Sequence, residues 1–362
     1  NEAGATPNRG SKRFNDSLPP AEWSFGTYVR PFKHGTNSWR QSGDMDMVEN
    51  ILWSSVSGKD ICDGSLTSTS APSVVVDSTD ADVTFERSEH HELLKLSIYF
   101  ALENTTYRLN EAQVNQVEID FSIDGIAQLT WSGNATTIDQ VSTAIEDPSK
   151  TLHAKPSGTD TSVTTATYVE GYNYADSTGP DDADYLRNKL STLTLVAAAQ
   201  GGGASAGGLD SRTYDINITG GSITIANNVT YVTPETLGII DKPIGSFTGS
   251  RQITGNLTCY LDTKSNGSNQ LLTDLAGATD LVSNVFDMSL FMGGASSAVP
   301  VVEFDIPKAH MTVPTIETGD LISTSVEFSA HGTDLLTGDE MTVKYKGLTS
   351  HSDSQYATDY TV

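Results

Sequence analysis

Apolar and polar residues alternate with a period of two along much of the chain. Between 93 and 101, Leu94, Leu96, Ile98 and Phe100 alternate with Lys95, Ser97 and Tyr99, which predicts a strand with one face on a core and the other in water. Residues 24–32 read as a strand too, and further strand-like runs fall at 117–123, 127–131, 189–196, 214–218, 222–226, 251–261, 301–306, 322–330 and 340–345. Helical spacing is rarer and short: Met45, Val48, Ile51 and Leu52; Ile138, Val141 and Ile145; and Leu271, Leu272 and Leu275. Many strands separated by Thr, Ser, Asn, Asp and Gly, with few helices, predict an antiparallel, mainly β protein.

Two polar stretches interrupt this pattern. Residues 157–184, ending in Thr178-Gly179-Pro180-Asp181-Asp182, mark the expected domain boundary. The Gly/Ala run Gln200-Gly201-Gly202-Gly203-Ala204-Ser205-Ala206-Gly207-Gly208 falls between the strands at 189–196 and 214–218, so it reads as the tip of a hairpin.

The chain also repeats itself. An offset of 124 pairs Asn104 with Asn228, Thr106 with Thr230, Tyr107 with Tyr231, Glu111 with Glu235, Ser122 with Ser246, Gly125 with Gly249, Gln128 with Gln252 and Thr130 with Thr254. In both copies a strand-like segment leads through a Tyr and a Glu-bearing connection to a Gly turn and another strand. A short helix is expected next, at 138–146 and at 268–276. Two related β domains in tandem are the physical reading. The expected organisation is an extended N-terminal arm at 1–22, a first β domain at 23–178, a second at 179–349 and a C-terminal tail at 350–362.

Composition sharpens the picture. The 362 residues favour two domains over one. At 37% the hydrophobic fraction is low, yet 13 Tyr, 11 Phe and 4 Trp provide for ordinary cores. The net charge of −25 argues against a general phosphate binder, whose affinity comes from Lys and Arg. That charge is uneven: residues 1–40 hold six basic side chains (Arg9, Lys12, Arg13, Arg30, Lys33 and Arg40) against three acidic ones (Glu2, Asp16 and Glu22). A basic, aperiodic arm on an acidic body suits docking onto a neighbouring copy. No apolar stretch approaches the ~20 residues needed to cross a bilayer, and no signal-like pattern opens the chain, so a soluble chain is expected. A start at Asn1 is compatible with processing.

Candidate chemistry is sparse. With only Cys62 and Cys259, no disulfide framework and no Cys metal cluster is expected, and a reducing compartment is permitted. His90-His91 between Glu89 and Glu92 is the nearest approach to a metal cluster, but neighbours on a strand point to opposite faces. Asp77/Asp80/Asp82 and Asp181/Asp182/Asp184 lack the order of a calcium loop with its closing Glu. The glycine run lacks the Gly-Lys-Ser/Thr ending of a phosphate loop. No Gly-x-Ser-x-Gly elbow occurs, and none of His34, His90, His91, His153, His310, His331 and His351 lies in a nucleophile pattern. Acceptor triplets at Asn104, Asn134, Asn217 and Asn256 would suit a glycoprotein, but Thr- and Asn-rich chains produce them by chance. No catalytic, cofactor-binding or metal residues are therefore assigned, and no enzyme is expected.

Three segments carry a resemblance. Trp23-Ser24-Phe25-Gly26-Thr27-Tyr28-Val29-Arg30-Pro31-Phe32, Phe121-Ser122-Ile123-Asp124-Gly125-Ile126-Ala127-Gln128-Leu129-Thr130-Trp131-Ser132-Gly133, and Ser250-Arg251-Gln252-Ile253-Thr254-Gly255-Asn256-Leu257-Thr258-Cys259-Tyr260-Leu261-Asp262 together resemble the tail tube (major tail) proteins of long-tailed phages. The resemblance extends over most of the chain, including 304–332. It implies tandem β-sandwich or β-barrel domains, each with a short flanking α-helix, in rings stacked around a channel through which the genome leaves the virion. Most such proteins carry one domain and form six-fold rings. Two domains imply the version in which three subunits imitate a hexamer. The partners implied are further copies of the chain, the tail terminator, tape measure and tail tip proteins, and genomic DNA that passes without specific binding; no membrane is involved. The implied location is the virion tail, assembled in the host cytoplasm.

Physical reasoning agrees with this. Unpaired strand edges endanger a monomer but bond the subunits of a ring. An acidic wall would deny DNA the cationic contacts that slow its passage. Two other classes compete: a monomeric β-sandwich adhesin or decoration module binding glycan or another surface, and a glycoside-active enzyme with two carboxyl groups about 5–10 Å apart.

Overall fold

Alternating burial along each strand sets the architecture. The computed structural model describes residues 19–29, 31–33, 45–47, 49–58, 74–77, 80–85, 92–102, 105–141, 186, 188–197, 212–232, 243–277, 285–293, 301–312, 315–318, 322–334 and 337–346. In chain order these form β1 (Ala21–Tyr28), β2 (Pro31–Lys33), β3 (Met45–Met47), α1 (Asn50–Ser57), β4 (Val74–Val76), β5 (Asp80–Thr84), β6 (Leu96–Leu102), β7 (Thr105–Asp120), β8 (Gln128–Ala135) and β9 (Thr137–Val141). After a 3-10 turn at Asn188–Leu190 come β10 (Thr192–Ala197), β11 (Thr213–Tyr214), β12 (Ile218–Ala226), β13 (Thr230–Val232), β14 (Gly245–Phe247) and β15 (Gln252–Tyr260). Helix α2 (Ser268–Gly277) precedes β16 (Phe286–Met292), β17 (Val301–Met311), β18 (Thr315–Thr318), β19 (Ile322–Ala330) and β20 (Thr342–Lys346).

The strand pairing is antiparallel throughout. One sheet runs in the order β1-β8-β7-β12-β15-β19-β17-β16-β10-β11, with β18 on β19, β20 on β17, β5 on β20, β4 on β5, and β6 and β9 on β7. Two of these pairings join the first half of the chain to the second: β12 lies on β7, and β20 lies on β5. The mainly β expectation therefore holds. Among the described residues the larger hydrophobic core cluster gathers Trp53, Trp131, Ile223, Phe286, Phe304 and Tyr345, and a smaller one joins Leu109, Ala112 and Ala135. Trp53 meets Trp131 edge-on at 5.1 Å, an arrangement favoured by the ring quadrupoles. Its indole N–H donates to the buried Tyr345 hydroxyl at 2.9 Å, tying α1 to the last strand.

Two helical expectations change. Met45 belongs to β3, paired with β2, and the helix starts only at Asn50. The helix expected at 138–146 is contradicted over its first part, where Thr137–Val141 is β9, aligned with the first half of β7 from Thr106↔Val141 to Asn110↔Thr137. Thr136 fixes the turn, its amide and hydroxyl both donating to Asn110 O at 3.0 and 2.9 Å. The β-branched run that follows favours an extended backbone. The helix expected at 268–276 is α2, with Leu271 and Leu275 buried one turn apart. The two repeat copies both open a strand at their shared Gln: β8 at Gln128 and β15 at Gln252.

Candidate assembly surface

The sheet ends in an open edge at β1. Eight residues of β1 pair with β8, from Ala21↔Ala135 to Tyr28↔Gln128, and among the described strands none pairs with its other side. The core face continues past that edge. Trp23 and Phe25 share the side of β1 that faces Gly133 and Trp131, stack at 5.4 Å, and leave Phe25 37% exposed. Gly133 makes room for the Trp23 indole, since a Cβ there would overlap both the ring and Gln113 O. Trp131 Nε1 donates to Thr27 Oγ1 at 2.8 Å and locks β1 on β8. Beside the edge lies a polar cleft of about 460 Å³, lined by Glu22, Ser24, Asn115, Ser132 and Asn134, with Trp23 among its walls. Asn115 stands at a register shift in the β7–β8 ladder, where the strand bulges.

Two further features project nearby. The β13–β14 hairpin carries Ile244 at its base and Phe247, which are 57% and 69% exposed. It is anchored by Tyr231, whose hydroxyl reaches the carbonyls of Glu111 and Asn134, each at 2.9 Å, and by Ser246, which donates to Gln113 Oε1. Burial, helped by the charge of Glu111, pushes the Tyr231 phenol well above its ordinary range. The second feature is the small blade of β6, the first half of β7, and β9. Ile98, Leu109 and Ile138 align across its three strands, and Phe100 stacks on Tyr107 at 5.6 Å. Its opposite face carries the exposed Arg108–Asp139 ion pair. An open backbone edge, exposed apolar side chains and a polar cleft suit strand addition and surface docking.

Only some of the residues that the sequence singled out are among the described ones. Among the described residues no group of three or more His, Cys, Asp or Glu side chains could hold a metal ion. Asp77 and Asp80 instead close a turn, the amide of Asp80 donating to Asp77 Oδ1 at 3.1 Å, while Asp82 points from β5 beside β20. Glu89, His90, His91, Asp181, Asp182, Asp184, Cys62 and the 200–208 glycine run lie outside the described residues. The strands flanking that run do pair as a hairpin, Leu195 opposite Tyr214 and Val196 opposite Thr213. Burial, with Asp262 adding to it, pushes the Cys259 thiol up to about 11, far from a reactive thiolate. Sequence reasoning did not find the exposed β13–β14 hairpin. The Tyr231 and Ser246 of the repeat were its one signal.

The tail tube protein pb6 of Escherichia phage T5 is 37% identical over 342 residues, covering 94% of this chain and 65% of that protein. The chain thus spans slightly less than two thirds of that relative's length. A family model described as phage tail tube protein matches residues 55–330, from the last turn of α1 to the end of β19. By this match, the chain belongs to the phage tail tube protein family.

Proposed function

We propose that the chain is a structural component of a phage tail, where copies of it assemble into stacked rings that form a tube for DNA ejection. The observation that carries this reading is the open edge of β1, with the Trp23–Phe25 shelf continuing the core face beyond the last strand. A long sheet with free ends is a hazard in an isolated chain and becomes a bonding surface when neighbouring copies extend it. Closure into a ring needs a head-to-tail contact between different patches, and the β1 and β10–β11 ends of the sheet are such patches. The tandem-domain reading, 23–178 and 179–349, is supported by the repeat and by the matching strand starts at Gln128 and Gln252, and it favours three copies per ring. The role is architectural, not enzymatic. The net charge of −25 per copy makes a conduit that does not hold DNA.

Terminator, tape measure and tail tip proteins are the proposed neighbours along the tail. The aperiodic arm at 1–22, which opens the cationic 1–40 segment, ties one ring to the acidic rim of the next. Electron microscopy of the purified protein tests the main reading: hollow striated rods support it, and dispersed single particles at every concentration overturn it in favour of a monomeric module. Light scattering from the smallest ring distinguishes three copies from six. Removing residues 1–20 should leave rings that do not stack; normal tubes from that truncation would overturn the role of the arm.

A further inference from the structure

The seam between β5 and β20 carries a charge arrangement that the tube reading leaves unused. Five residues pair there, from Thr342↔Thr84 to Lys346↔Asp80, and they bind an early strand to the last described one. On one face Asp82 lies opposite Lys344, and Lys344 in turn lies opposite Glu303 on β17. Lys346, opposite Asp80, gives its ammonium to Glu303 and sits 5.4 Å over the Phe291 ring. One cation is therefore committed elsewhere and the other stands between two carboxylates. Asp82 is half-buried, and its Oδ1 is shut off from water with no hydrogen-bond partner. The groups facing it are Asp80 on its own strand, Asp77 at the turn, and Lys344 and Lys346 on β20, with Glu303 one strand further. From β4 its neighbour is the uncharged Val75.

An ionised carboxylate with an unsatisfied buried oxygen and a second carboxylate beside it is costly, and a neutral carboxyl is less so. We infer that Asp82 makes the β5–β20 seam a proton-operated latch, closed when this carboxyl is neutral and loosened when it ionises. Burial, then the charge of Asp80, pushes the Asp82 carboxyl up to about 6, which supports the same reading. The native seam binds this proton more tightly than the open chain does. Its contribution is therefore fully present below the ordinary carboxylate range and is lost as pH rises through about 6.

Hydrogen exchange on the full chain at pH 5 and 7.5, corrected for intrinsic exchange rates, tests the latch. The opening equilibrium of the β5 and β20 amides should rise several-fold, at most about tenfold, over that interval, while the β7–β8 amides stay constant. Asp82→Asn should remove the step and hold the seam at pH 7.5 as tightly as the wild type at pH 5. An undiminished step in Asp82→Asn, or a flat profile in the wild type, overturns the latch. Asp80→Asn provides a second reading should the first variant not fold: the step should move to lower pH, and an unmoved step overturns the inference. Neither measurement depends on ring formation, so the latch and the tube reading stand or fall separately.

Discussion

Trp53 and Tyr345 are 292 positions apart in the chain, and a hydrogen bond of 2.9 Å joins them inside the core. Tyr345→Phe keeps the ring but leaves the indole N–H of Trp53 buried without that acceptor. The expected loss is about 1–3 kcal/mol, read as a lower urea midpoint with an unchanged slope. Gly255 meets a steric limit instead: it lies opposite Phe328, and a Cβ would overlap both that ring and Ser222 O. Gly255→Ala should cost about 1–3 kcal/mol through overpacking, seen as a drop in the thermal midpoint, whereas Gly245→Ala, with open space around it, should be close to neutral. Neither role was legible in the sequence. The period of two says which face a side chain takes, and it placed Leu94, Leu96, Ile98 and Phe100 on the less exposed side of their strand, opposite Lys95, Ser97 and Tyr99. It does not say which atoms from a distant strand arrive there, so the notch at Gly255 and the acceptor for Trp53 became visible only with the pairing.

At the level of elements, the strands read best where alternation was unbroken. Residues 93–101, 251–261 and 322–330 correspond to β6, β15 and β19 to within a few positions. Most of β7 was missed, because the left-handed backbone of Glu111 (φ 48°) and the bulge near Asn115 break its period where it passes from β6 and β9 to β8 and β12. Short strands such as β4 and β5 escaped because Asp80 and Asp82 gave them the look of an acidic loop. Of the described helices, α2 was found because it buries Leu271 and Leu275 one turn apart, and α1 only in part, since Met45 belongs to β3. The start of α2 is held by Ser268, whose hydroxyl donates to Tyr260 O at 2.7 Å and accepts from the amide of Asp262 at 2.8 Å, while its own amide donates to Asp262 Oδ1. Ser268→Ala should destabilise the protein by about 1–2 kcal/mol and raise exchange first in the amides of α2. Of the candidate assembly surface, the single strand expected at 24–32 found β1 but ran on into β2, a separate strand paired with β3; that β1 would be the outermost strand depends on long-range pairing.

For the whole molecule, the net charge of −25 opposes bringing copies together. Assembly should therefore quicken as salt shortens the screening length from about 30 Å at 0.01 M to about 8 Å at 0.15 M. Time-resolved light scattering measures this; assembly that slows with salt would mean that attraction between opposite charges dominates the contact. The β5–β20 pairing has one more consequence, for how the chain is made. Strand β5 meets β20 only after Lys346 has left the ribosome, so β5 waits with that flank bare while the strands between it and β20 are made. A nascent chain cannot finish its first part and release it. The sheet completes only once residue 346 has been made, and a ribosome stalled before residue 342 should yield a product that holds its early strands poorly and aggregates, whatever the stability of the finished protein.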